Sequence, residues 1–110
     1  MNPHYTPSLL ASGQLADSKG TLYTCPVGFR TIIESIQYYN TTAGALTVDT
    51  YIHDGTSRQT DSHSVDANSR YIALDKNSPY FLDAADILQG NTSAATSVNY
   101  HVFGWEEQKG

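Results

Sequence analysis

The chain has 110 residues and a formal charge of −5 at pH 7, with six Lys and Arg against eleven Asp and Glu. A chain of this length is expected to form one domain with a modest core. Its few, scattered cations predict no nucleic-acid partner and no membrane partner, because binding a phosphate backbone requires clustered positive charge, and no apolar run approaches the roughly 20 residues of a membrane helix.

The single cysteine, Cys25, limits how the fold can be stabilised. One cysteine cannot form a disulfide within the chain, so the fold is expected not to depend on one. This agrees with assembly in a reducing compartment. The first ten residues contain Pro3 and Pro7 and lack the pattern of a Sec signal peptide.

The first 20 residues contain few apolar side chains and many Pro, Ser and Gly residues. Three interpretations stay open: a frayed terminus, an extended arm that lies on a neighbouring subunit, and a first strand of the sheet. We assign residues 1–20 to an N-terminal arm. Leu9 and Leu10 would be its anchors.

Strand signals begin directly after this arm. Residues 21–25 are rich in β-branched and aromatic side chains, and residues 26–28 contain the Pro and Gly of a turn. Residues 29–39 form the next predicted strand. Strict alternation would place Ile32, Ile36 and Tyr38 on one face and Ile33 and Tyr39 on the other.

The rest of the chain continues as short strands. Residues 46–53 alternate apolar and polar side chains most clearly, and the Asp54-Gly55 hairpin turn follows them. Residues 58–68 are polar and indicate an edge strand or a loop. Further strands are predicted at residues 70–74, 80–82 and 86–88, with Gly90 and Asn91 closing the third, and a last strand begins at residue 98 and ends near residues 105–106.

Seven or eight strands at intervals of roughly 8 to 12 residues are typical of a sandwich or a small barrel. The sequence therefore predicts an all-β protein with a single antiparallel, jelly-roll-like β-sandwich and an extended N-terminal arm. The predicted sandwich spans residues 21–107, and residues 108–110 are expected to form an exposed tail.

No catalytic or metal-binding pattern stands out. The four histidines lack the spacing that brings metal ligands together on one strand. The sequence Asp61-Ser62-His63-Ser64 contains the residue types of a hydrolytic triad, but adjacent residues of a strand point to opposite faces and cannot converge. We therefore expect no enzyme activity, no metal and no cofactor.

Eight tyrosines are the most unusual feature of the composition. Tyrosine provides large contact area with little conformational entropy to lose, and it is enriched at protein interfaces. The alternative is that the tyrosine rings pack in the core of the sandwich, with their hydroxyl groups at its rim. The candidate interface residues are three tyrosines and the two leucines of the arm, namely Tyr39, Tyr51, Tyr71, Leu9 and Leu10.

Three stretches resemble the small β-sandwich virion proteins of tailed bacteriophages. The run from Leu22 to Thr42 is similar to their opening hairpin, with its tyrosine-threonine strand, Pro-x-Gly turn and Asn-Thr turn. Residues 84–90 resemble their late Gly-Asp turn, although Ala85 stands where the family usually has Gly. Residues 98–106 resemble their closing strand with its Gly-x-Glu end.

This resemblance implies a structural role in a virus particle assembled in the host cytoplasm. The expected function is capsid decoration, in which the protein binds the major capsid protein or other virion proteins and stabilises the shell. A homo-oligomer, commonly a trimer, is expected. Two alternatives stay open: a tail or head-fibre component, and a carbohydrate-binding module in which Tyr51, Tyr71 and Trp105 stack on sugars.

Overall fold

The structure is a computed structural model that describes residues 8–74 and 78–109 of the chain. These residues form β-strands and connecting turns, and none of them forms a helix long and apolar enough to cross a membrane. The strands are β1 Ser8–Gln14, β2 Gly20–Thr24, β3 Phe29–Asn40, β4 Leu46–His53, β5 Ser57–Val65, β6 Arg70–Leu74, β7 Tyr80–Leu82, β8 Ile87–Thr92 and β9 Val98–Gln108.

The strands form two antiparallel sheets. Sheet A has the order β1-β9-β3-β6, with β7 also paired to β3, and sheet B has the order β2-β8-β4-β5. β6 and β7 pair with the edge of β3 opposite β9. β7 pairs with the first half of β3 and β6 with its second half. This is the strand order of a jelly roll, and it confirms the predicted antiparallel, jelly-roll-like β-sandwich.

The core lies between the two sheets and consists of the side chains that alternate inward. β9 contributes Val98 and Val102, and β4 contributes Val48, all fully buried. The alternation predicted for residues 46–53 agrees with burial in β4, where Val48 and Thr50 are buried and Thr47 is exposed. Further core side chains are Leu15, Leu22, Ile33, Ile36, Tyr38, Val65, Leu74, Leu82 and Leu88.

A β-bulge in β3 corrects one sequence prediction. The register with β9 shifts between Ile33 and Ser35, so Glu34 is an extra residue on β3. One extra residue exchanges the two faces of a strand. Consequently Ile33 lies in the core, and Ile32, predicted to share a face with Tyr38, lies on the outer side of sheet A.

The segment predicted as an arm differs from that expectation within the described residues. Ser8–Gln14 is an edge strand that pairs with β9, and Leu15, which follows it, is 1% exposed in the core. Backbone pairing and the burial of Leu15 hold this segment on its own domain. Leu10 is the extra residue of a second bulge and packs against the core, while Leu9 is exposed. Residues 1–7 lie outside the described residues.

β8 and β9 both extend further than predicted. Gly90 lies inside β8 and not in a closing turn. A Cβ atom at this position would lie 3.0 Å from the side chain of Leu22 and 3.2 Å from the carbonyl oxygen of Asp49. The missing side chain lets neighbouring strands approach. β9 runs to Gln108, and the backbone N–H of Lys109 still donates to Gly28 at 2.9 Å, so most of the predicted tail is attached to the sandwich.

Candidate interaction surfaces

The outer faces of the two sheets differ in polarity. Five large apolar side chains are exposed among the described residues, namely Leu9, Val27, Tyr39, Ile72 and Phe81. Register places four of them on the outer face of sheet A, which we call the sheet A face; Val27 lies in the turn that leads into it. The outer face of sheet B instead presents Thr47, Asp49, Tyr51, Gln59, Gln89 and Asn91.

The sheet A face is also balanced in charge. Arg30 and Glu107 are partners across β3 and β9, while Glu34 lies at the bulge and Arg70 pairs with Tyr39. Two arginines and two glutamates on this face cancel, so the net charge of −5 lies on the rest of the molecule. An apolar, neutral face on an acidic protein is a feature of interaction surfaces.

A groove crosses the sheet A face at the end where β3 begins. It has a volume of about 440 Å³ and is lined by Arg30, Ile32, Glu34, Pro79, Phe81, Trp105 and Glu107. Ile32 pairs with Phe81 of β7 on one side and with Trp105 of β9 on the other. Ile32 is 7% exposed and forms the floor, whereas Phe81 is 67% exposed.

Polar side chains contact one another at both ends of this groove. The indole Nε1 of Trp105 donates a hydrogen bond to Oε2 of Glu34 at 2.9 Å. The guanidinium of Arg30 lies 3.7 Å from the carboxylate of Glu107, and both side chains are partly exposed. The groove therefore has an apolar centre and charged groups at its ends, and the hydrogen bond from Trp105 orients Glu34 in the protein alone.

The five candidate interface residues do not form one site. Leu9 and Tyr39 lie on the sheet A face, and Leu10 is half-buried against the core. Tyr51 lies on the opposite, polar face, and Tyr71 points inward at the side where β5 and β6 approach each other. An interface on either sheet could include only some of them.

Tyr51 and Tyr71 are each engaged by neighbouring side chains. The ammonium of Lys19 lies 4.3 Å from the ring centroid of Tyr51. The hydroxyl of Tyr71 donates to Asp61 at 2.9 Å, and its ring stacks on His63 with centroids 4.0 Å apart. Burial, followed by the hydrogen bond to Asp61, raises the pKa of Tyr71 to about 12.

Sequence reasoning missed the residues that build the groove. It named Trp105 only as a sugar-stacking candidate beside Tyr51 and Tyr71, and it did not single out Phe81. The outward position of Phe81 could have been predicted, because side chains alternate in the short predicted strand at residues 80–82 and Leu82 would point to the opposite face. Ile32 had none, since its outward position depends on the bulge.

Cys25 belongs to a buried polar cluster at the same end of the sandwich. The hydroxyl of Thr31 donates to the Cys25 sulfur at 3.1 Å and lies 2.8 Å from the hydroxyl of Tyr23. Tyr23 also donates to the carboxylate of Glu106, and burial raises the pKa of Tyr23 well above its usual value. Cys25 is 1% exposed, so this thiol packs in the interior. Within the described residues, no cluster of three or more His, Cys, Asp or Glu is arranged to hold a metal ion.

Comparison with known proteins supports the fold. No protein-family model and no curated protein matches the chain. A solved structure described as Bacillus endospore appendages, a family of disulfide-linked pili, is similar at 12% identity with a TM-score of 0.54, over 100% of this chain and 95% of that one. A crystal structure of PirA aligns at 18% identity over 96% of each chain, with a TM-score of 0.38. At such identities the likeness shows a shared fold alone, and the second alignment is too weak to carry an argument.

Proposed function

We propose that this protein is a structural protein that acts by binding other protein subunits, including copies of itself, and not by catalysis. The observation that carries the proposal is the concentration of exposed apolar side chains on the sheet A face, against a polar outer face on sheet B. Exposed apolar side chains that concentrate on one face support a binding role, because large exposed apolar surfaces mark interaction sites. The balanced charge of this face also reduces repulsion between acidic copies.

The finer proposal is capsid decoration in a tailed bacteriophage, located in the virion. Its support is the sequence resemblance together with the jelly-roll architecture that such a role would use. The sandwich would sit over a junction of shell subunits, with the major capsid protein as partner, and a trimer is the proposed assembly. A protein that binds only the assembled shell stabilises it by mass action.

The structural similarity to an appendage pilin supports a subunit role more generally, and it also suggests a contrast. The neighbouring structure is described as disulfide-linked. Here Cys25 is the chain's single cysteine and is buried, so it cannot provide two covalent links to two neighbours. We therefore propose that subunit contacts of this protein are non-covalent and persist in a reducing agent.

The first test measures the mass of the purified protein by light scattering, and its co-sedimentation with capsids that lack it. We expect a homo-oligomer, with a trimer as the proposed form, and saturable binding to the capsids. Ile72→Lys on the sheet A face should weaken both. Ser62→Lys adds the same charge on the outer face of sheet B, where register pairs Ser62 with Asp49, and should change neither.

The outcomes separate the coarse proposal from the fine one. A monomer that binds no capsid contradicts the structural role altogether. An oligomer that binds no capsid contradicts capsid decoration but leaves a tail or fibre component. Equal effects of Ile72→Lys and Ser62→Lys would show that the sheet A face is not the interface.

A further inference from the structure

The groove on the sheet A face differs from the rest of that face, because charged side chains bracket its apolar centre. We propose that this groove binds one pyranose ring of a neutral saccharide. The inference goes beyond the proposed structural role and does not depend on it. It is argued from the register of three strands and from the chemistry of the lining residues.

The apolar part of the groove is a single row across the sheet. Phe81, Ile32 and Trp105 are direct register neighbours on β7, β3 and β9. Neighbouring strands lie roughly 4.8 Å apart, so the two aromatic residues arise from backbones roughly 9.5 Å apart. The groove between their side chains has a volume of about 440 Å³, which is larger than one pyranose ring. The C–H face of a sugar ring is apolar and packs favourably on aromatic and aliphatic side chains.

The charged residues lie where the hydroxyl groups of such a ring would project. Arg30 and Glu107 pair across β3 and β9 on one side of this row, and Glu34 lies at the bulge on its other side, so the charged residues bound the groove along the strand direction. A guanidinium donates hydrogen bonds and carboxylates accept them, while a sugar hydroxyl can do both. Hydrogen bonds to charged partners are the stronger ones. The groove thus offers an apolar floor and polar ends along one axis.

The carboxylate of Glu34 is oriented by a hydrogen bond before any ligand binds, and Arg30 lies near Glu107. Glu34 accepts the indole hydrogen bond of Trp105 at 2.9 Å, and Arg30 lies 3.7 Å from Glu107. Each carboxylate keeps further acceptor positions, because an ionised carboxylate has about four lone-pair sites. A ligand that binds preoriented groups loses less conformational entropy than one that must order them.

Other ligand classes fit the same groove less well. A peptide backbone would find few partners, since β3 is already paired with β7 and β9 on both sides of Ile32. Two glutamates and one arginine give the groove a charge of −1, which disfavours phosphate and other anions. A purely apolar ligand would remove water from three charged side chains without replacing their hydrogen bonds.

The groove can be open while the remainder of the sheet A face is in contact with protein. Ile32 and Tyr39 are seven positions apart on β3, which corresponds to roughly 20 Å along the strand. Tyr39 and Ile72 lie toward the far end of the face from the groove. Saccharide binding and subunit contact can therefore be tested with different variants.

Trp105 makes the test direct, because it is the only tryptophan in the chain and it lines the groove. We would titrate the full chain with the methyl glycosides of glucose, galactose, mannose and N-acetylglucosamine and record tryptophan fluorescence. At least one glycoside should give a saturable change, with a dissociation constant in the range of about 1 mM that is typical of weak, small ligands. The same glycoside should shift the amide resonances of residues around Ile32.

Three variants define the site. Phe81→Ala removes one apolar wall and is expected to weaken binding at least about tenfold; Phe81 is 67% exposed, so the core stays intact. Glu107→Gln keeps the shape of the side chain and removes its charge, and should weaken binding several-fold. Val27→Ala is the matched control, since Val27 is an exposed apolar residue in the turn before β3 that does not line the groove, and this variant should bind as the parent protein does.

Three outcomes would overturn the proposal. The first is the absence of any saturable response to all four glycosides at about 50 mM, well above weak dissociation constants. The second is equal affinity in Phe81→Ala, Glu107→Gln and the parent protein, which would place binding elsewhere. The third is a saturable response to choline chloride or inorganic phosphate with none to the glycosides, which would assign the groove to charged ligands.

Discussion

The hydroxyl oxygen of Tyr38 in sheet A lies 2.6 Å from the hydroxyl oxygen of Thr50 in sheet B, and both side chains are buried. This hydrogen bond crosses the core and joins the middle strands of the two sheets. Burial raises the pKa of Tyr38 well above its usual value, so the phenol stays protonated over the physiological range. The pair is therefore a polar link within an otherwise apolar layer.

Removing both partners of this bond should cost less than the sum of the costs of removing each one alone. Tyr38→Phe leaves the Thr50 hydroxyl buried without this partner, and we expect the free energy of unfolding to fall by about 1 to 2 kcal/mol. Thr50→Val should have a similar effect. The double variant should lose clearly less than the sum of the two, because no hydroxyl then lacks its partner. Urea unfolding of all four proteins measures this coupling, and strictly additive losses would contradict it.

Gly104 allows β9 to pass the bulge in β3 at very close range. A Cβ atom on Gly104 would lie 2.1 Å from the carbonyl oxygen of Ile32 and 3.0 Å from the Cα of Ile33. Both are backbone atoms that cannot move aside without breaking the ladder. Gly104→Ala should therefore lower the free energy of unfolding by about 3 kcal/mol or more, and it should also displace Trp105.

Gly44 provides the control for this substitution. A methyl group placed on its Cα would meet nothing within 4 Å, and its φ is not positive. Gly44→Ala should leave the stability unchanged or slightly increased, because alanine restricts the unfolded chain. Thermal unfolding compares the two variants directly. A Gly104→Ala protein as stable as Gly44→Ala would show that the bulge can relax.

Regular alternation holds in β4 and β9 because both strands are free of extra residues. Where β4 or β9 pairs with a bulged strand, the extra residue belongs to the other strand. These extra residues are Leu10 of β1, Glu34 of β3 and Thr60 of β5. The alternation of β9 is therefore intact from Val98 onward. In β3 the same rule fails at Ile32, because the extra residue lies in mid-strand without Gly, Pro or another local signal.

The groove could not be predicted from the sequence for a second reason. Its central residues, Ile32, Phe81 and Trp105, belong to strands far apart in the chain, and they meet only through the order β7-β3-β9. Strand content and turns depend on local side chains and were largely predictable. The neighbours of β3 depend on the global topology, which local patterns do not encode.

Ala85 adopts a backbone conformation that glycine prefers, with φ at 72° in the turn before β8. A non-glycine residue in the left-handed region costs about 1 to 2 kcal/mol, and glycine in turn makes the unfolded chain more flexible. We expect Ala85→Gly to raise the free energy of unfolding by about 0.5 to 1 kcal/mol, which is the difference between these two effects. Urea unfolding measures the difference.

The neighbouring alanine is the matched control for this turn. Ala84 is not among the residues with positive φ, so glycine there relieves no strain. Ala84→Gly should lower the free energy of unfolding by about 0.5 kcal/mol through the entropy of the unfolded chain alone. If both substitutions destabilise equally, the left-handed conformation of Ala85 is not strained.

The buried tyrosines should make the protein less stable at alkaline pH. Tyr71 has its pKa raised to about 12, first by burial and then by the hydrogen bond and charge of Asp61, while the phenol of an unfolded chain ionises near pH 10. Between these values the unfolded state releases a proton that the folded state retains, so the free energy of unfolding falls as pH rises. The stabilising contribution is complete below about pH 10 and is lost through about pH 12.

Tyr71→Phe tests this assignment, because phenylalanine keeps the ring and removes the titrating hydroxyl. Tyr23 and Tyr38, whose pKa values are raised in the same direction, keep part of the dependence. The variant should therefore show a shallower loss of stability between about pH 10 and about pH 12, measured by urea unfolding at each pH. An unchanged slope would mean that Tyr71 ionises in the folded protein as it does in the unfolded chain, and that Asp61 does not hold its proton.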